Sequence, residues 1–133
     1  MTTTPAEYLL QLKAQLVISP VVATFIFIEE RIWPERGYIR IRMTLANGDF
    51  LEVAEYFVLR AGEHVTRRYR YQWMDGACQV LRKRWDNVEH HPDLPNFPHH
   101  VHVGSSEDVK PSEKLSIMEL LNVLPDEMLT QVN

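Results

Sequence analysis

The chain has 133 residues, 45% hydrophobic and 24% charged, with a formal net charge of −4. That length and balance fit one soluble domain that buries a core without cross-links, and exclude a disordered chain. Its one cysteine, Cys78, excludes an intramolecular disulfide and points to a reducing, cytoplasmic setting.

Thr4-Pro5-Ala6-Glu7 reads as a helix start, with threonine as cap, proline at the first helical position and glutamate completing a capping box. The segment has no positively charged lead, so no secretory signal is expected. Tyr8, Leu9, Leu12 and Leu16 follow at helical spacing, and Ser19-Pro20 ends the helix. Val21–Trp33 is rich in β-branched and aromatic residues and reads as a strand. Its apolar run from Val21 to Ile28 is far short of the roughly 20 residues a membrane span needs, so no membrane partner is expected. Ile39–Leu45 alternates and then meets Asn47-Gly48, a strong hairpin signal. A two-residue loop there sets Arg40 opposite Glu55 and Ile41 opposite Ala54. It also puts Phe50, Ala54 and Tyr56 on the core face with Ile39, Ile41, Met43 and Leu45. A second hairpin is predicted at Asp75-Gly76. Its tight turn puts Tyr69, Tyr71 and Trp73 with Arg82 and Arg84 on one face, and Arg68 and Arg70 with Leu81 and Lys83 on the other. Residues 111–124 read as a closing helix capped by Ser112. The expected fold is a single α+β domain over 1–133: a curled, mainly antiparallel sheet of about five strands with an N-terminal and a C-terminal helix.

Charge is unevenly spread. Residues 60–84 hold seven Lys/Arg against two Asp/Glu, whereas residues 85–133 hold two against nine. The basic segment is either a polyanion contact or a face covered by the acidic tail. Tyr69, Tyr71 and Trp73 at period two are either a base-stacking platform or core. Arg68, Arg70, Arg82, Arg84 and Tyr71 are the candidate nucleic-acid contacts.

Between the last long strand and the last helix lies His90-His91-Pro92-Asp93-Leu94-Pro95-Asn96-Phe97-Pro98-His99-His100-Val101-His102, with five of the six histidines. Prolines at every third residue favour a polyproline II strut. If straight, it holds His90-His91 and His99-His100 roughly 25 Å apart, at ~3.1 Å per residue; a bend at Asp93 or Asn96 brings them together. His90, His91, His99, His100 and His102 are the candidate catalytic residues. Two histidines around a 2′-hydroxyl and a leaving oxygen supply base and acid, while arginines stabilise the phosphorane. That chemistry requires no cofactor and no metal. A metal reading, with His100-x-His102 joined by Asp86 or Asp93, lacks any CxxC or HExxH support. A third reading is structural, with the histidines packed or at a partner interface. Asp86 either orients a histidine or starts a turn, and His64 receives no role.

Tyr69-Arg70-Tyr71-Gln72-Trp73, Arg84-Trp85-Asp86-Asn87, His90-His91-Pro92 and Phe97-Pro98-His99-His100-Val101-His102, in that order, resemble the TumE-type toxin family of bacterial toxin–antitoxin systems. The resemblance spans about residues 69–104. It implies an antitoxin protein encoded nearby, a cytoplasmic target with RNA as first choice, and the toxin role in a type II module. A homodimer is also compatible. The competing functions are a non-enzymatic binding module and a metal-dependent hydrolase.

Overall fold

The chain's computed structural model describes residues 3–131. Helix α1 covers Pro5–Ile18, and Thr4 Oγ1 caps it by accepting from Glu7 N at 3.1 Å. Tyr8, Leu12 and Leu16 form its buried stripe, as the helical spacing predicts. Seven strands follow: β1 Val22–Trp33, β2 Arg36–Leu45, β3 Phe50–Arg60, β4 Glu63–Met74, β5 Leu81–Asp86, β6 His100–Val103 and β7 Val109–Pro111. They pair in sequence order, each antiparallel to the last. Helix α2, Ile117–Leu129, closes the domain. Among the described residues no helix is long and apolar enough to cross a membrane.

The α+β class and the two terminal helices agree with the sequence reading; the sheet differs. It has seven strands and is not closed or strongly curled. The two extra strands, β6 and β7, are short, and a strand of three or four residues leaves little periodicity to read. The closing helix starts four residues later than a Ser112 cap would place it. Ser116 is the cap, exchanging hydrogen bonds with Glu119 in a capping box, and the helix runs on through Pro125.

Both hairpin registers also differ. The first loop takes three residues, Ala46-Asn47-Gly48, with Gly48 at φ +89° and Leu45 N donating to Asp49 O at 2.8 Å. Glycine reaches this left-handed conformation without strain, which is why a Gly-containing loop lengthens by one residue so readily. Arg40 therefore opposes Ala54, and Ile41 opposes Val53. A one-residue slip exchanges the faces of a strand. Leu51, Val53, Glu55 and Phe57 point to the core, while Glu52, Ala54 and Tyr56 point away. At the second hairpin, Asp75 Oδ1 accepts from Gln79 N and Val80 N, both at 2.8 Å, and organises a wider loop than the expected tight turn. Tyr71 then faces Trp85, and Gln72 faces Arg84. Arg84 thus shares the face of Arg70, not that of the tyrosines.

Both helices pack on one face of the sheet. Tyr71, Trp73, Phe57, Leu12 and Ile117 are all fully buried there. Each contributes about 1.5–3 kcal/mol of burial. Glu55, also fully buried, ties the layers together: Tyr8 Oη donates to it at 2.8 Å, Thr66 Oγ1 at 2.6 Å and Ile117 N at 3.4 Å. The last contact sets a carboxylate at the N-terminus of α2, where the helix dipole favours it. His64, at the start of β4, stacks on Tyr8 with ring centroids 4.1 Å apart. Its Nε2 lies 2.9 Å from Glu55 Oε2 without the alignment of a hydrogen bond. Burial, reinforced by the charge of Glu55, raises the Tyr8 phenol far above its usual pKa and keeps it a donor.

Candidate functional site

Among the described residues, no helix covers the opposite face of the sheet. Strand alternation puts Tyr38, Arg40, Glu52, Ala54, Arg70 and Gln72 there, around a hollow of about 280 Å³. Ala54 is the small residue among them, and its missing bulk opens the floor. An adjoining hollow of about 250 Å³ continues past Tyr56 and Arg68 to Val88. Arg68 and Arg70 are exposed, and among the described residues neither has a carboxylate partner. Arg40 and Arg42 share Glu52, at 2.7 and 3.1 Å.

Arg70 pairs across the sheet with Asp86, and Asp86 with His100. Arg84 pairs with His102. The pleat therefore brings Asp86, His100 and His102 together at one end of the open face. His100 Nε2 lies 2.9 Å from Asp86 Oδ1, and His102 Nε2 lies 3.5 Å from Asp86 Oδ2. The other ring nitrogen of each histidine meets a backbone carbonyl: His100 Nδ1 donates to Pro98 O at 2.8 Å, and His102 Nδ1 to Ser106 O at 2.9 Å. A carbonyl accepts only, so both Nδ1 atoms carry the hydrogen and both Nε2 atoms aim at the carboxylate. Asp86 is further held by Val88 N at 3.0 Å and Arg84 Nε at 3.4 Å. Exposure is 3% for Asp86, 2% for His100 and 5% for His102, so bulky substrates do not reach these atoms directly. Burial, more than the positive charge of Arg84, lowers the pKa of His102.

The strut bends. Asn96 adopts φ +64°, a left-handed conformation that asparagine tolerates, and its Nδ2 donates to Ser112 O at 2.7 Å. Turn bonds from Leu94 N to His91 O and from His99 N to Asn96 O replace the hydrogen-bond-free strut. The segment folds back, and the His91 ring comes within 5.4 Å of His100 and 6.2 Å of His102. His91 is exposed, at φ +60°, with His90 edge-on beside it at 6.1 Å.

His99 does not join them. It stacks on Tyr69 at 5.8 Å, and its Nδ1 shares a hydrogen bond with Tyr69 Oη at 3.0 Å. Burial, and next Lys114, lowers its pKa. Two other predicted contact residues also lie elsewhere. Tyr71 is fully buried and donates to Leu115 O at 2.8 Å. Arg82 binds Asp49 at 3.1 Å, the same carboxylate that accepts from Trp73 Nε1. Lys83 pairs with Glu127 of α2, so the acidic tail neutralises this residue and leaves Arg68 and Arg70 uncovered. Tyr56 and Ala54, bordering the hollows, escaped the sequence reading because the one-residue register slip assigned them to the core, and Tyr38 and Arg40 of β2 received no role there.

A model of the family described as Toxin TumE matches residues 9–132. The chain belongs to the TumE toxin family. No curated protein and no solved structure matches it. The match covers both the open face and the histidine cluster of this TumE-family chain, and extends well beyond the 69–104 stretch that carries the resemblance in sequence.

Proposed function

We propose that this chain is the toxin of a type II toxin–antitoxin module and acts on RNA. The observation that carries the reading is the continuity of an uncovered cationic, tyrosine-bearing face with a histidine cluster at its end. A single-stranded polyanion lies along the face, its phosphates on Arg68 and Arg70 and its bases against Tyr38 and Tyr56. At the end of the groove His91 takes the proton of a 2′-hydroxyl, whose oxygen attacks the adjacent phosphorus. The phosphorus–oxygen bond to the next nucleotide breaks, and His90 returns a proton to that leaving oxygen. Arg70 and Arg84 offset the charge that builds on the phosphorane. His100, His102 and Asp86 are buried, so they act behind His91 rather than on the substrate. A small antitoxin protein encoded nearby restrains the activity.

The test is induced expression in a bacterial host, with RNA integrity read directly. The expected result is growth arrest with cleaved RNA, relieved by co-expression of the neighbouring gene. Arrest should be lost in folded H91A and R68A/R70A variants. Undiminished arrest by both folded variants, or arrest with intact RNA, refutes the nuclease reading. In that case the exposed face serves as a non-enzymatic binding surface.

A further inference from the structure

We infer that Asp86, His100 and His102 form a binding site for one divalent first-row transition-metal ion. One ligand atom from each of the three residues lies within 4.8 Å of the other two. The two Nε2 atoms sit at 2.9 Å from Oδ1 and 3.5 Å from Oδ2 of the same carboxylate, close enough for one ion to meet both rings and an oxygen of Asp86. Metal–nitrogen and metal–oxygen bonds of about 2.0–2.2 Å set neighbouring ligands about 3.0–3.5 Å apart in octahedral or tetrahedral geometry. The tautomers are fixed for the purpose. Pro98 O and Ser106 O hold the two Nδ1 hydrogens, which leaves Nε2 of each neutral ring as a lone pair directed at the carboxylate. Metal-binding histidines are oriented in this way, by a backbone acceptor on the distal nitrogen. Val88 N and Arg84 Nε fix the carboxylate in the same manner.

The alternative occupants of this space are protons, and they satisfy it poorly. One proton on one ring leaves the other Nε2 lone pair facing an acceptor. Protons on both rings put two positive charges around one carboxylate that Arg84 already contacts. A single dication meets all three groups at once. Two imidazoles and one carboxylate suit Zn, Fe, Mn, Co or Ni, whereas Mg and Ca prefer oxygen ligands. A three-residue set leaves coordination positions open, and the exposed His91 ring lies 5.4 Å from the His100 ring and 6.2 Å from the His102 ring. The site makes His100 and His102 ligands in place of proton carriers. It does not depend on the RNA reading, because it is tested on purified protein without RNA.

The experiment uses full-length protein without a histidine tag, stripped with chelator and titrated with ZnCl₂ or CoCl₂ by calorimetry. The expected result is one ion per chain, a rise in Tm of about 5 °C or more at excess metal, and no competition from millimolar Mg. D86N and H102Q should weaken binding by ~100-fold or more, whereas H90A/H99A, which removes two histidines outside the set, should retain it. Should the buried variants fail to fold, ring ¹⁵N spectra of the wild-type protein decide: Zn must move Nε2 of His100 and His102 while Nδ1 keeps its hydrogen. Absence of stoichiometric uptake overturns the site. So do equal affinity in folded D86N and H102Q, loss in H90A/H99A, or unmoved Nε2 signals.

Discussion

The two faces of strand β4 set the terms for the whole molecule. On one face Tyr69, Tyr71 and Trp73 lie under two helices and are nearly or fully closed to solvent. On the other, Arg68, Arg70 and Gln72 border an uncovered groove. Both faces carry aromatics and cations. What separates them is covering: packed-face Arg82 and Lys83 are matched by Asp49 and Glu127, while on the open face Arg40 and Arg42 share Glu52 and Arg68 and Arg70 meet solvent. An aromatic stripe on a strand is therefore uninformative until its covering is known. In this chain the long stripe builds stability, and the sparser Tyr38 and Tyr56 remain available to a ligand.

The largest effect expected of that contrast is on the packed face. Trp73 is fully buried, and its Nε1 donates to the buried Asp49 at 2.9 Å. Trp73→Ala removes the ring and one hydrogen bond and should cost about 3–5 kcal/mol in urea unfolding. A loss below ~1 kcal/mol would mean that this face is not the core. Next comes Glu55. Glu55→Ala strands the hydroxyls of Tyr8 and Thr66 and the Ile117 N–H in a buried space. The expected cost is about 3 kcal/mol, with Glu55→Gln milder because it retains an acceptor. If Glu55→Ala were neutral, the carboxylate would not be what joins the two helices to the sheet.

How much of this was legible beforehand follows from the physics of each element. Helix α1 was readable to its cap, because Thr4, Pro5 and the Tyr8, Leu12, Leu16 spacing are local signals. The five longer strands were readable from their composition and alternation, but the face assignment of β3 was not. It turned on whether Asn47-Gly48 closed a loop of two or three residues, and sequence alone does not separate these. That single residue moved Glu55 into the core and Ala54 to the floor of the groove. The histidine block was visible as a block, and His100-x-His102 with Asp86 or Asp93 was visible as one of three readings of it. The return of His91 to them depends on left-handed Asn96 and on its bond to Ser112 O, a contact across sixteen residues. Asp86 was visible only as one option among two, because its two histidine contacts come from β6, a strand too short to assign with certainty from pattern alone.

The smallest effect separates the arginines of the two faces. Arg82→Gln breaks a mostly buried pair with Asp49, so about 2 kcal/mol of stability should be lost. Arg68→Gln with Arg70→Gln should change stability by no more than about 0.5 kcal/mol, because both side chains are exposed. Affinity for a single-stranded RNA should behave in the opposite way. Each phosphate contact on a single strand contributes about 0.7 to the slope of log K against log salt, so the double variant should flatten that slope by about 1.4. Arg82→Gln should leave it unchanged, since its guanidinium is already neutralised inside the protein. The two slopes measured side by side make the test internal, because global destabilisation lowers binding without altering its salt dependence. An equal flattening by Arg82→Gln would erase the distinction between the faces and move the RNA contact to the hairpin end of the sheet. A flat salt response of the wild-type protein would remove phosphate recognition from the open face altogether, and with it the physical basis for reading that face as a polyanion groove.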